Sequence, residues 1–139
     1  PQCDAPPSPG VNWSSCDLEQ GAFANADLRG AYLRNVDLGG AVLRAADLSD
    51  TDLAYADLSA ANLQGASLEK ARLKGADLRG ADLGNADLRG ADLSYADLRA
   101  ARLDGAQLQG VRLDHALWRD EIVCLPGSVG SCKPGRPAG

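Results

Sequence analysis

Apolar positions recur every five residues from Cys16 to Asp120, a spacing that suits neither standard element. Leucine stands at 18, 28, 33 and each fifth residue to Leu113, and Phe23 and Trp118 take the two other beats, so 19 of 21 beats are leucine. The residue two before each beat is alanine in 16 of 21 cases, with Cys16, Gly21, Val36, Thr51 and Val111 as the exceptions. Helices bury a residue about every 3.6 positions and strands every 2. A period of five held over 105 residues therefore predicts a repeat architecture.

One unit, Ala76-Asp77-Leu78-Arg79-Gly80, shows how the period folds. Alanine and leucine are two apart, so in an extended segment they share a side, and the residue between them points away. That shared side must be the core. The last two slots carry Gly30, Gly40, Gly65, Gly75, Asn25, Asn35, Asn85 or charged residues, types that accept turn and left-handed dihedrals. A short extended side followed by a corner, turning always in one sense, winds into a coil whose successive turns pair at about 4.8 Å.

The tandem Ala-(Asp/Asn)-Leu-x-x units resemble the pentapeptide-repeat proteins over about three quarters of the chain. The resemblance implies an all-β fold, a right-handed quadrilateral parallel β-helix with four repeats per coil. The 21 repeats would then make about five coils, a rod roughly 25 Å tall. Tyr-Ala-Asp-Leu recurs at 55 and 95, a spacing of 40 that twenty divides.

Three parts follow from this pattern. Residues 1–15 hold four prolines and no repeat, and are expected to be an irregular cap with Val11 and Trp13 plugging the column. Residues 16–120 are the β-helix. Residues 121–139 are expected to form a second cap with Ile122, Val123 and Leu125, ending in a flexible, weakly basic tail.

The four cysteines fall only near the ends. On a rod of about 25 Å, Cys3 or Cys16 cannot reach Cys124 or Cys132, because bridged Cα atoms lie within about 7 Å. Two local bridges, Cys3–Cys16 and Cys124–Cys132, are expected to close the caps. The competing readings are free thiols and a structural zinc site, although the spacings lack the close cysteine pair typical of zinc. Disulfides imply an oxidising location, periplasmic or extracellular. The lack of any methionine is what removal of a leader, or trimming, would leave. No apolar run is long enough to insert in a membrane.

Catalytic groups are scarce. The single histidine, His115, sits at a corner slot, no serine or cysteine is placed beside a base, and no phosphate loop or ligand cluster is present. Neither an enzyme nor a cofactor is expected. The outward column Asp17, Asp37, Asp57, Asp77, Asp97 reads either as a cation site or phosphate mimic, or as aspartates bonding nearby corner amides. A second column, Tyr32, Asp52, Arg72, Asp92, Arg112, alternates in charge and is expected to set register through cross-strand pairs.

The net charge of −5 sits wholly in the repeats, where 17 acidic residues mix with 12 basic ones. The resemblance also brings in a branch of the family that imitates DNA to inhibit gyrase and confers quinolone resistance. Matching DNA over a rod of this height would need about 15 net charges, so the expected function is instead a non-enzymatic scaffold. Such a scaffold would present a surface to another protein or assembly, as an accessory subunit, with no nucleic acid bound and with homodimerisation through a rod end as a further mode. The candidate surface is a corner column with Tyr55 and Tyr95 two coils apart and Gly75 leaving a gap between them, flanked by Arg79, Arg99 and Arg119.

Overall fold

The computed structural model describes residues 1–118 and 122–137. Within residues 76–80 every backbone N–H has a partner, which explains the order of residue types. The N–H of Ala76 donates to the Leu73 carbonyl of the preceding side at 3.0 Å and tightens the corner. Asp77 N–H reaches down to the Ala56 carbonyl at 2.9 Å, while Leu78 and Gly80 reach up to the carbonyls of Asp97 and Arg99 at 2.8 and 3.0 Å. The one amide left over belongs to Arg79, and the Asp77 carboxylate accepts it at 3.1 Å. Where an aspartate precedes the leucine, it can thus supply the acceptor that the corner lacks.

Parallel rungs join residues twenty apart, among them Asp17 to Asp37, Asp57 to Asp77 and Asp77 to Asp97. Four five-residue sides therefore complete each turn of a parallel β-helix. Each rung is a single residue long, because two apolar slots per side leave room for only one outward residue before the next corner. Inside, the beat residues from Leu28 to Leu98 are at most 1% exposed. Thr51, in an alanine slot, is equally buried and turns its hydroxyl to the Leu48 carbonyl at 2.8 Å.

At the first end the coil begins before the leucine beat does. Asn12 forms a rung with Tyr32, and Val11 and Trp13 fill the two inward slots. Residues 11–15 are thus a unit of the helix and not part of an irregular cap. Tryptophan can take a leucine slot here because the column ends at this level, where its ring lies 5.0 Å from that of Phe23 and its indole N–H meets the Ala5 carbonyl at 3.2 Å. Cys3 is bonded to Cys16, with Cα atoms 5.5 Å apart.

At the other end the chain reverses. Strand β1 (Ile122–Cys124) pairs antiparallel with β2 (Pro134–Pro137), Val123 pairs antiparallel with Leu117, and Val129 with Arg112. The segment expected to be a flexible tail therefore contributes a strand over Pro134–Pro137. Cys124, fully buried, is bonded to Cys132 across 5.1 Å between Cα atoms. Gly127 N–H is held by the Asp114 carboxylate at 2.8 Å.

Candidate functional site

Tyr55 and Tyr95 occupy left-handed corner positions, with φ of 60° and 63°, and both are more than half exposed. A bulky residue in this conformation is costly, so each ring needs compensating contact. Tyr55 finds it on the next coil: a Cβ built on Gly75 would lie 2.6 Å from its Cδ1 and Cε1, so the ring lies directly over the glycine. Tyr95 instead stacks on His115, with centroids 4.8 Å apart and planes 21° from parallel. The gap expected between the two tyrosines is therefore filled by Tyr55 itself. Lys74 stands between them, its Nζ 5.9 Å from the Tyr95 centroid, and the three side chains line one shallow depression.

The same rule runs through other corners. Gln20 covers Gly40, Lys70 covers Gly90 and Asn85 covers Gly105, in each case a polar corner side chain leaning on a glycine twenty residues later. That spacing was readable in the sequence as pairs of bulky and glycine residues.

The arginines border the opposite side of the strand stack carrying Asp57, Asp77 and Asp97, so the aspartate column separates them from the tyrosines. Arg79 grips Asp77 through Nε at 2.9 Å and a terminal nitrogen at 2.7 Å, and Arg99 grips Asp97 at 2.9 and 2.6 Å. Arg79 also lies 3.9 Å from Asp97 on the next coil. Arg29–Asp27 and Arg89–Asp87 repeat the fork. Hydrogen bonds from these guanidinium groups hold the carboxyls of Asp27, Asp77, Asp87 and Asp97 below the usual carboxylate range, and the carboxylates raise Arg29, Arg79 and Arg89 in turn. The signal was present in the sequence, since Asp-Leu-Arg occurs at all four places. Arg119 lies outside the described residues.

All five aspartates of the long acidic column accept the backbone N–H two residues on: Glu19, Gly39, Ser59, Arg79 and Arg99 are the donors, at 3.3, 3.0, 2.9, 3.1 and 3.1 Å. The corner-bonding reading of this column is the one the geometry supports. At its foot acidic groups gather, with oxygens of Asp17, Glu19 and Asp37 within 4.8 Å of one another on an open surface. The alternating column behaves differently from expectation. Its members form backbone rungs, but Asp52 is bonded to Arg34 at 3.2 Å and Arg112 lies 3.6 Å from Asp114. Residues eighteen or two apart meet more easily than those stacked directly, because the corner slot projects a long side chain towards them.

The rod is four-sided, with its leucine column inside and its charged groups turned outward. The family model for pentapeptide repeats matches in eight copies over residues 14–50, 42–80, 56–94 and 81–117, and the chain belongs to the pentapeptide-repeat family. Among solved structures it is similar to a trypsin-treated form of QnrB1, a plasmid-mediated fluoroquinolone resistance protein. That match has 23% identity and a TM-score of 0.54, over 78% of this chain and 65% of that one. At this identity the likeness speaks for the right-handed β-helical fold alone. A pentapeptide-repeat protein, alr5209 from Nostoc PCC 7120, is 44% identical over 68% of this chain and 66% of its own, with a TM-score of 0.43. Rfr23 from the cyanobacterium Cyanothece 51142 is 28% identical over 78% of this chain and 88% of its own, with a TM-score of 0.46. None of the curated proteins matches the chain.

Proposed function

We propose that this chain is a non-enzymatic, secreted or periplasmic interaction scaffold that serves as an accessory part of a larger protein assembly. One observation carries the reading: from Leu28 to Leu98 the beat side chains fill the axis with at most 1% exposure, so the rod has no interior in which to hold a substrate. Recognition is left to the outside, where Tyr32, Tyr55 and Tyr95 are exposed and the last two share one corner column. Because Tyr55 lies over Gly75, a partner would rest across the two rings and Lys74 instead of entering between them. The arginines contribute as fixed forks: a guanidinium has five N–H donors, and Asp77 takes two of those on Arg79. The two disulfides support an oxidising location.

Imitation of DNA at a topoisomerase is the second reading, and the Arg–Asp forks weigh against it. They place positive groups along the outside, where DNA carries an unbroken run of negative charge. Capture from the native secreted or periplasmic fraction, with Tyr55 and Tyr95 both replaced by serine as comparison, tests the first reading. Loss of a captured protein in the double variant supports the tyrosine face. Inhibition of gyrase supercoiling by the purified protein, with no capture, would replace the scaffold reading by the second.

A further inference from the structure

Among the described residues, the C-terminal cap pairs with two of the four sides of the last coil. It sits over Arg112 and Leu117, which pair with Val129 and Val123, while residues 101–110 form the two adjoining sides. Below, these sides are fully paired: Leu83 and Leu88 donate to the carbonyls of Arg102 and Gln107 at 2.8 and 3.0 Å, and Arg102 and Gln107 donate to those of Ala81 and Ala86. Above, the corresponding groups have no counterpart among the described residues. These are the N–H groups of Leu103, Gly105, Leu108 and Gly110 and the carbonyls of Ala101 and Ala106. The core is open over the second of these sides, where Ala106 and Leu108 are only half-buried although Ala86 and Leu88, one coil lower, are fully buried, while Ala101 and Leu103 on the first side remain buried.

We propose that this edge, residues 101–110, is a docking site for an extended peptide segment of a partner, which adds to the rod as a parallel strand with the pattern small–acidic–leucine. Each element of the pattern follows from what the edge presents. A carbonyl and an N–H flanking an outward residue are what every lower coil offers to the parallel side above it, so an added strand finds the same hydrogen-bonding frame. Its inward residues would close the column over Ala106 and Leu108. Its outward residue would stand over Arg102, which is exposed and makes no ion pair among the described residues, so an acidic side chain complements it. A bare strand edge is a liability that proteins normally blunt. The capped half is blunted by β2, whose two ends are prolines with no N–H to offer, whereas residues 101–110 contain no proline and have no strand paired above them among the described residues. A second copy of the chain fits less well, because β1 and β2 rise beside the open edge and would meet a flat rod end first. A single extended segment needs only one strand width.

The inference gives the interaction reading a second, separate contact, and the probe is chosen so that the two can fail independently. A synthetic peptide with the sequence of residues 81–90, which already pairs with residues 101–110 from below, is titrated into the ¹⁵N-labelled disulfide-intact protein. The amides of Leu103, Gly105, Leu108 and Gly110 should shift and exchange more slowly, with the rest of the rod unchanged. The same peptide with proline in place of both aspartates, unable to donate to Ala101 and Ala106, should lose this effect, and Arg102→Glu in the protein should weaken it. Equal effects from the proline peptide, or shifts spread over all faces, would overturn the proposal. So would protection of these four amides without peptide that grows with protein concentration, which would assign the edge to a second copy.

Discussion

The carboxylate of Asp77 receives both the backbone N–H of Arg79, at 3.1 Å, and two nitrogens of its guanidinium, at 2.9 and 2.7 Å. One side chain thereby closes the corner and neutralises its neighbour. The two roles separate by substitution. Asp77→Ala leaves the corner amide without its acceptor and should cost about 0.5–1.5 kcal/mol, whereas Arg79→Ala, on the open surface, should leave the denaturation midpoint nearly in place. The lowered carboxyl values of Asp77 and Asp97 also set a pH dependence. A depressed native value means stability that is complete above the unfolded carboxylate's pKa, about 4, and is lost as pH falls through the lower native value. Denaturant midpoints should therefore decline below about pH 4, and less steeply in a variant carrying Asp77→Asn and Asp97→Asn; parallel declines would exclude the forks as the cause.

The interior predicts a larger response. Leu73, fully buried, should cost about 2–5 kcal/mol when changed to alanine, measured by chemical denaturation. A cost near that of an outward substitution would contradict the packing.

Gly75→Ala tests the covering of one coil's corner by another. The new methyl would sit where the Tyr55 ring lies, at a backbone φ of +67°. Destabilisation of about 1–2 kcal/mol is expected from the left-handed backbone alone, with more from displacing the ring. Adding Tyr55→Ser should recover the ring's part; a double variant no more stable than Gly75→Ala would mean that the ring never lay there.

Val42 occupies an outward slot where most units have an acceptor, and it is partly exposed. Val42→Asp should give the Arg44 amide the bond that Asp77 gives Arg79, raising stability by about 0.5–1.5 kcal/mol. The neighbours on its rungs, Ala22 and Asn62, bring no like charge. An unchanged thermal midpoint would show that solvent satisfies that corner equally well.

The C-terminal disulfide should act locally. His115 N–H bonds the Cys124 carbonyl at 2.9 Å, and Leu113 N–H bonds that of Ser128 at 2.8 Å. Replacing Cys124 and Cys132 by serine should speed hydrogen exchange at His115 and Leu113 while leaving Leu73 and Leu78 protected, since repeat arrays are stabilised mainly by neighbouring units. Uniform acceleration along the rod would instead make the cap a keystone of the whole fold.

The core was legible because its signal is periodic: Leu78 announces itself by Leu73 and Leu83. Trp13, five before Leu18, was expected to plug the column, but that it does so as a regular unit of the helix was hidden, since an end residue need not resemble the ones it closes over. Pairing of Pro134–Pro137 with Ile122–Cys124 was hidden for a related reason, because a proline- and glycine-rich segment shows no alternation even when it lies in a ladder. The site was half legible. Tyr55 and Tyr95 were visible as exposed aromatics, but where the Tyr55 ring comes to rest depends on Gly75, a residue whose meaning lies twenty positions away. The Arg79 and Arg99 forks stood in plain view as Asp-Leu-Arg, but vertical stacking does not reveal them, because each arginine pairs first within its own corner.

The interior and the exterior of this rod keep different time. Leu58 and Leu63 are interchangeable to the core, which counts in fives, whereas Tyr55 requires Gly75 beneath its ring and so counts in twenties. Gain of a single unit would leave the leucine stack in step while rotating every later corner by a quarter turn, moving Lys70 into the place of Gly75. Length change by units of five is therefore a cheap route to new surfaces on an unchanged frame, and only change by whole turns preserves an existing one.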